Sequence, residues 1–200
     1  YFIECHIGSG GMGDVYLARQ ISMRREVALK ILPRELSSDT KYLERFFREV
    51  RLLAQIEHQN IVRAIEAGMD GETCYFSMEY APGMDLKRQI DLKRRFEEHE
   101  ALQLACRIAS ALKYVWEKHQ LIHRDVKPAN VILTPENEVK LMDLGISKRA
   151  SENNEITLDG MMVGSPTYIS PEQARSEKSL DFRADMYSLG ATLFHMLAGV

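Results

Sequence analysis

Hydrophobic positions in the first eighty residues fall in short runs and alternations, the pattern of strands, with one helical interruption. Phe2, Ile3, His6 and Ile7 lead into a glycine cluster, Gly8-Ser9-Gly10-Gly11-Met12-Gly13. Val15, Tyr16, Leu17 and Ala18 resume a strand-like run, and residues 26–32 supply another before Pro33. Ser38 or Asp39 then stands where a helix cap belongs. Beyond it Leu43, Phe46, Phe47, Val50, Leu53 and Ala54 recur at helical spacing and predict a helix reaching Ile56. Residues 60–68 and 73–80 read as two strands joined by the turn Met69-Asp70-Gly71. Ala81-Pro82-Gly83 then punctuates the chain as a boundary.

Past that boundary the period changes. Residues 98–119 carry Leu102, Ala105, Ile108, Ala109, Leu112, Val115 and Trp116 at helical spacing, which predicts a core-facing helix. Val131-Ile132-Leu133 and Val139-Lys140-Leu141-Met142 read as a hairpin around residues 134–138. Residues 147–165 are polar and aperiodic, and a loop of that length in a compact domain is usually functional. A mostly apolar helix is predicted over 185–197.

Composition narrows the class. The 200 residues include 45% hydrophobic positions and carry 26 Lys+Arg against 29 Asp+Glu, a net charge of −3. That balance excludes general disorder and argues against a nucleic-acid or anionic-membrane surface. No apolar run reaches the roughly 18 residues of a membrane span. Cys5, Cys74 and Cys106 form neither a disulfide framework nor a metal pattern, so a reducing, cytoplasmic location is expected for this domain. The first residue is Tyr1 and the last three are Ala198-Gly199-Val200. Both ends are expected to be cuts in a longer chain, which leaves room for a membrane anchor after residue 200.

Three segments carry candidate chemistry. Gly8, Gly10 and Gly13 suit either a plain hairpin turn or a flap whose backbone N–H groups approach phosphates. A dinucleotide-binding unit would open a helix at this point, whereas Asp14 to Ala18 reads as a strand. Lys30 lies among apolar neighbours, so its ammonium is either solvated or paired with a carboxylate or phosphate, and Glu49 is the candidate partner. The strongest segment is His123-Arg124-Asp125-Val126-Lys127-Pro128-Ala129-Asn130, followed by Asp143-Leu144-Gly145. A carboxylate at Asp125 suits acceptance of a hydroxyl proton. Asn130 and Asp143 offer hard oxygens suited to Mg²⁺, and Lys127 suits a phosphoryl oxygen.

Taken in order, these segments resemble the Hanks-type protein kinases, and the bacterial Ser/Thr branch in particular. Ser170-Pro171-Glu172 and Asp185-Met186-Tyr187-Ser188-Leu189-Gly190 extend the likeness to the end of the chain. The resemblance implies an α+β, two-lobed kinase fold. Residues 1–80 would form an antiparallel-sheet lobe with one helix, and 81–200 a mainly helical lobe incomplete at its C-terminus. It implies transfer of the ATP γ-phosphoryl group to Ser/Thr hydroxyls of protein substrates with activation-loop control. A nucleotide-binding pseudokinase or signalling scaffold without turnover is the competing reading. Asp125 would be the base, Lys127 its cationic neighbour, and Asn130 and Asp143 the Mg²⁺ ligands.

Lys30, fixed by Glu49, would hold the ATP phosphates beneath the flap formed by Ile7, Gly8, Ser9, Gly10, Gly11, Met12 and Gly13. Val15, Ala28 and Ile132 would enclose the adenine, Met78, Glu79 and Ala81 would line its edge, and Asp85 would reach the ribose. Asp185 would brace the catalytic loop. Arg124 would clamp a phosphate on the 147–165 loop, with Thr157 the first candidate phosphosite and Ser151 the second. Ser165 would lie on the substrate shelf, and Asp159 is expected either to supply part of the negative charge without modification or to be a solvated loop acid. Expected partners are a protein substrate and a second kinase copy for trans-autophosphorylation. Three departures stand out: Leu144 for the usual Phe, Ser170 for the usual Ala, and Glu172 expected without its distal arginine.

Overall fold

The computed structural model describes residues 1–10, 13–144, 166–177 and 179–200, which cluster into two compact units. The first contains residues 1–57 and 62–81, and the second 58–61 and 82–200.

In the first unit, strands β1 (Phe2–Gly10), β2 (Gly13–Gln20), β3 (Arg25–Ile31), β4 (Ala64–Asp70) and β5 (Thr73–Glu79) form an antiparallel sheet ordered β1-β2-β3-β5-β4. Helices α1 (Arg34–Ser37) and α2 (Thr40–Leu53) follow β3. Directly opposed residues of antiparallel strands share a face, and so do residues two apart. Register therefore sorts the sheet. Ala18 opposes Val27 and Ile31 opposes Tyr75; with Leu29 and Ile65 these side chains cluster on one face. Lys30 opposes both Val15 and Phe76, so those three occupy the other face, together with Ala28 and Met78.

Helix α2 lies on this second face, because the Phe46 ring meets Phe76 edge-on at 6.4 Å. Its start matches the sequence: the Asp39 carboxylate accepts from the backbone N–H groups of Lys41 and Tyr42 at 2.9 and 3.1 Å. The buried stripe is Tyr42, Phe46 and Val50. Ala54 lies beyond the helix and is exposed, which corrects the expected stripe.

The strand expected over 60–68 starts later. Asp70 pairs with Thr73, which moves the turn to Gly71-Glu72. Asn60 and Ile61 belong to the second unit. Leu141 N–H donates to the Asn60 carbonyl at 2.8 Å, and Asn60 Nδ2 donates to the Val139 carbonyl at 2.9 Å. Apolar character alone could not say which sheet would take these residues.

The second unit is built on α3 (Leu86–Lys93), α4 (Glu98–His119), α5 (Pro171–Ala174) and α6 (Phe182–Ala198). A small sheet joins β6 (Met84–Asp85), β7 (Val131–Leu133) and β8 (Val139–Leu141). Ala101, Leu104, Ala105, Ile108, Ala111, Leu112 and Val115 form the buried stripe of α4, which packs on α6. Leu102, expected in that stripe, is 44% exposed. One residue is 100° around a helix, and Ala101 occupies the buried edge instead.

Helix α3 differs from the pattern read along 81–97, where no helix is expected. Asp85 accepts from Arg88 N–H at 2.8 Å, and Leu86 and Ile90 are buried one turn apart. An acidic cap before an i, i+4 apolar pair was its legible signal. Gly83 (φ 151°) precedes β6, where an added Cβ would lie 2.3 Å from the Leu133 carbonyl oxygen.

Candidate active site

In the first unit Gly8, Ser9, Gly10 and Gly13 stand at the paired ends of β1 and β2. Gly8 opposes Val15, Ser9 opposes Asp14 and Gly10 opposes Gly13, so a strand follows the cluster, as the sequence indicates. At Gly13 (φ 119°) a Cβ would lie 1.9 Å from the Ile31 carbonyl oxygen, which only glycine avoids. The hairpin is also latched by side chains. Ser9 Oγ donates to Asp14 at 2.7 Å and lies 2.9 Å from His6 Nε2. The Ser9 bond, helped by His6, holds the Asp14 carboxyl below the ordinary carboxylate range.

Lys30 is the penultimate residue of β3 and half-buried, while Glu49 sits on α2 one turn after Phe46. Register and the Phe46–Phe76 contact place Lys30 and α2 on the same side of the sheet. Met78 and Ala81 are buried, and the Glu79 side chain accepts from Arg63 N–H at 3.2 Å.

The second unit contains the densest polar arrangement. Asn130 Nδ2 donates to both the carbonyl and the carboxylate Oδ2 of Asp125, each at 2.8 Å. Lys127 Nζ lies 2.8 Å from the same Oδ2. The local reason is a 3-10 turn at Pro128–Asn130, with proline at its start and Asn130 N–H bonded back to the Lys127 carbonyl at 3.0 Å. That turn reverses the chain and returns Asn130 to Asp125.

Behind this loop lies His123, fully buried. Asp125 N–H donates to His123 Nδ1 at 3.2 Å, so Nε2 carries the proton and donates to the Met142 carbonyl at 3.0 Å. Met142 N–H in turn donates to the Asn130 carbonyl at 3.0 Å. Both sides of Met142 are thereby tied to the 123–130 loop, and Asp143 follows in the left-handed region (φ 58°). The chain sequence alone gives His123 no legible role; its tautomer and position follow only from these partners.

Asp185, in the first turn of α6, is 4% exposed and accepts from His123 N–H at 2.7 Å and Arg124 N–H at 2.8 Å. Burial pushes its carboxyl above the ordinary value, while the two backbone donors oppose that shift. Asp85 opposes Ile132 across β6 and β7, and its carboxylate is the cap of α3, with Arg88 Nε at 3.4 Å. Glu172 is half-buried, and its backbone carbonyl accepts from Glu177 N–H at 3.0 Å. Gly11, Met12, Ser151, Thr157, Asp159 and Ser165 lie outside the described residues.

A model of the protein kinase domain family matches residues 1–200. The chain belongs to the protein kinase domain family. This kinase domain is 39% identical over 199 residues to a probable serine/threonine-protein kinase of Clostridium acetobutylicum, covering all of this chain and 30% of that protein. It is 38% identical over 193 residues to the serine/threonine-protein kinase PrkC of Bacillus subtilis, covering 96% of this chain and 29% of PrkC. The chain thus spans about a third or less of the length of these curated relatives.

Among solved structures, the PknI kinase domain of Mycobacterium tuberculosis is similar with a TM-score of 0.79 and 29% identity. That match covers 99% of this chain and 74% of the PknI chain. Among the described residues, no helix is long and apolar enough to cross a membrane. Protein kinases as a family use ATP and Mg²⁺. The second unit's donor chemistry fits that ion. With Asn130 Nδ2 engaged by Asp125, Oδ1 is the amide's remaining acceptor, a neutral hard oxygen to set beside the Asp143 carboxylate.

Proposed function

We propose that this kinase domain transfers the γ-phosphoryl group of ATP to serine or threonine hydroxyls of protein substrates. The arrangement around Asp125 carries the reading. Its carboxylate is held by an amide and an ammonium on a loop anchored from beneath by Asp185. Such a group orients a hydroxyl and accepts its proton as the new O–P bond forms. The bond to the leaving ADP oxygen breaks, and that oxygen retains the electron pair. Lys127, 2.8 Å from Asp125, is a fixed positive charge for a phosphoryl oxygen. Lysine at this position, and the serine/threonine-protein kinase names of the relatives, support the Ser/Thr class.

Asn130 and Asp143 would hold Mg²⁺, which when bound neutralises charge on the β- and γ-phosphates. Lys30, oriented by Glu49, would hold the α- and β-phosphates, and the glycine hairpin would cover them with its N–H groups. Val15, Ala28 and Ile132 would contact adenine, and Met78, Glu79 and Ala81 would line its edge. Asp85 would accept from the ribose while still capping α3. On this reading residues 1–80 correspond to the N-terminal lobe and 81–200 to C-terminal-lobe sequence.

The test is transfer of labelled γ-phosphate to a generic basic protein, with and without Mg²⁺, followed by phospho-amino-acid analysis. Label on Ser or Thr that needs Mg²⁺ is the expected result. Asp125→Asn should lower kcat by roughly 10²–10⁴. A variant that keeps parental turnover would remove Asp125 from the mechanism, and ATP binding without turnover in the full-length protein would establish the pseudokinase reading.

A further inference from the structure

Arg124, immediately before Asp125, adopts φ 67°, a left-handed conformation that a residue with a Cβ keeps only when its surroundings hold it. Asp185 supplies one hold, by accepting from Arg124 N–H at 2.8 Å. The other comes from Gln173, a residue whose role is not legible from the sequence. Gln173 Nε2 donates to the Arg124 carbonyl at 2.9 Å.

Gln173 is itself fixed in orientation. Its N–H donates to Ser170 Oγ, and its side-chain Oε1 accepts from Ser170 N–H, both at 3.3 Å. This is a capping box at the start of α5, with Ser170 fully buried. With Oε1 facing a backbone N–H, Nε2 faces a backbone carbonyl. Flipping the amide would set donor against donor and acceptor against acceptor. The segment leading into α5 is tied down as well: Ser188 Oγ, on α6, donates to the Tyr168 carbonyl at 2.7 Å. Helix α6 thus holds Arg124 directly through Asp185 and, by way of Tyr168 and α5, through Gln173.

We infer that Gln173 is a positioning residue for Asp125. It and Asp185 clamp Arg124 from both sides and so set where the next carboxylate points. The inference rests on the proposed role of Asp125 in phosphoryl transfer. Gln173→Glu separates the two functions of this side chain. Glutamate completes a capping box equally well, yet it offers the Arg124 carbonyl an oxygen instead of a donor.

The experiment compares the parent chain with Gln173→Glu and Gln173→Ala by melting temperature, amide hydrogen exchange, kcat and KM for ATP. For Gln173→Glu the melting temperature should stay near the parent's. Exchange at Arg124 and Asp125 should speed up about ten-fold, and kcat should fall about ten-fold with KM for ATP unchanged. Gln173→Ala should show the same kcat loss together with a lower melting temperature. If Gln173→Glu keeps parental exchange and kcat while Gln173→Ala loses stability, Gln173 is a helix cap only and the inference is overturned. If the parent shows no turnover, the functional reading fails separately. The exchange rates then decide the clamp, and unchanged exchange in Gln173→Glu refutes it.

Discussion

At Asp185 two backbone donors converge on two oxygens of one buried side chain, and that arithmetic limits what can replace it. Asparagine keeps one oxygen and turns an NH₂ group toward the other N–H. Asp185→Asn should therefore cost about 1–3 kcal/mol, the scale of a buried donor left without an acceptor, read as a lower urea midpoint. Unchanged stability would mean that water or a main-chain shift satisfies the second donor. His123 follows the same logic. Its Nδ1 is an acceptor and its Nε2 a donor because a backbone N–H faces the first and a backbone carbonyl faces the second. The 123–130 loop is thus held by side chains whose donors and acceptors each face a fixed backbone partner.

Elements add constraints that no single residue has. The glycine hairpin continues strand pairing up to Gly10 and Gly13, and this strand-to-strand geometry separates it from a helix-opening nucleotide loop. In the second unit, the C-terminal part of α6 meets the 3-10 turn Pro166–Tyr168. The Tyr168 hydroxyl and His195 Nδ1 lie 2.5 Å apart, with the rings stacked at 6.0 Å. Burial raises the Tyr168 hydroxyl, which keeps it a donor, and lowers His195, which keeps its imidazole an acceptor. Lys87 on α3 adds to the lowering of His195, and Asp91 on the same helix opposes it.

A histidine lowered on folding binds its proton more weakly in the folded chain than in the unfolded one. Its contribution is therefore complete above the unfolded value near pH 6.5 and is lost as pH falls through the lowered folded value. Melting temperature should drop over that acidic interval in the parent, and His195→Gln should flatten the drop. Parallel curves for the two proteins would exclude His195 as the titrating group.

For the whole molecule, a net charge of −3 and a 45% hydrophobic composition describe an ordinary globular chain and say nothing specific about chemistry. On the proposed function, chemistry would draw on residues of both units: Lys30 and the glycine hairpin in one, and Asp125, Lys127, Asn130 and Asp143 in the other. If these groups serve one transfer reaction, their losses will not add. Lys30→Met should reduce kcat with little change in melting temperature. Combining it with Asp125→Asn should cost much less than the product of the two single losses. Fully multiplicative losses would mean that the two residues act independently.

Much of this was readable beforehand. The sheet-then-helix order, the Asp39 cap, the hairpin at 134–138 and the 123–130 segment all follow from local signals, because period, capping and turn chemistry act over a few residues. Leu102 and Ile61 depended on which neighbour would cover an apolar face, and that choice is not local, whereas α3 carries a local signal in its Asp85 cap. The linear chain by itself determined which chemical groups are present, their order, and the elements that bear them. Tertiary structure alone decided that Arg124 turns left-handed, that Asp185 grips it from 61 residues away and that Gln173 grips it from 49. A backbone donor or carbonyl is the same in every residue, so its partner is set only when distant segments pack.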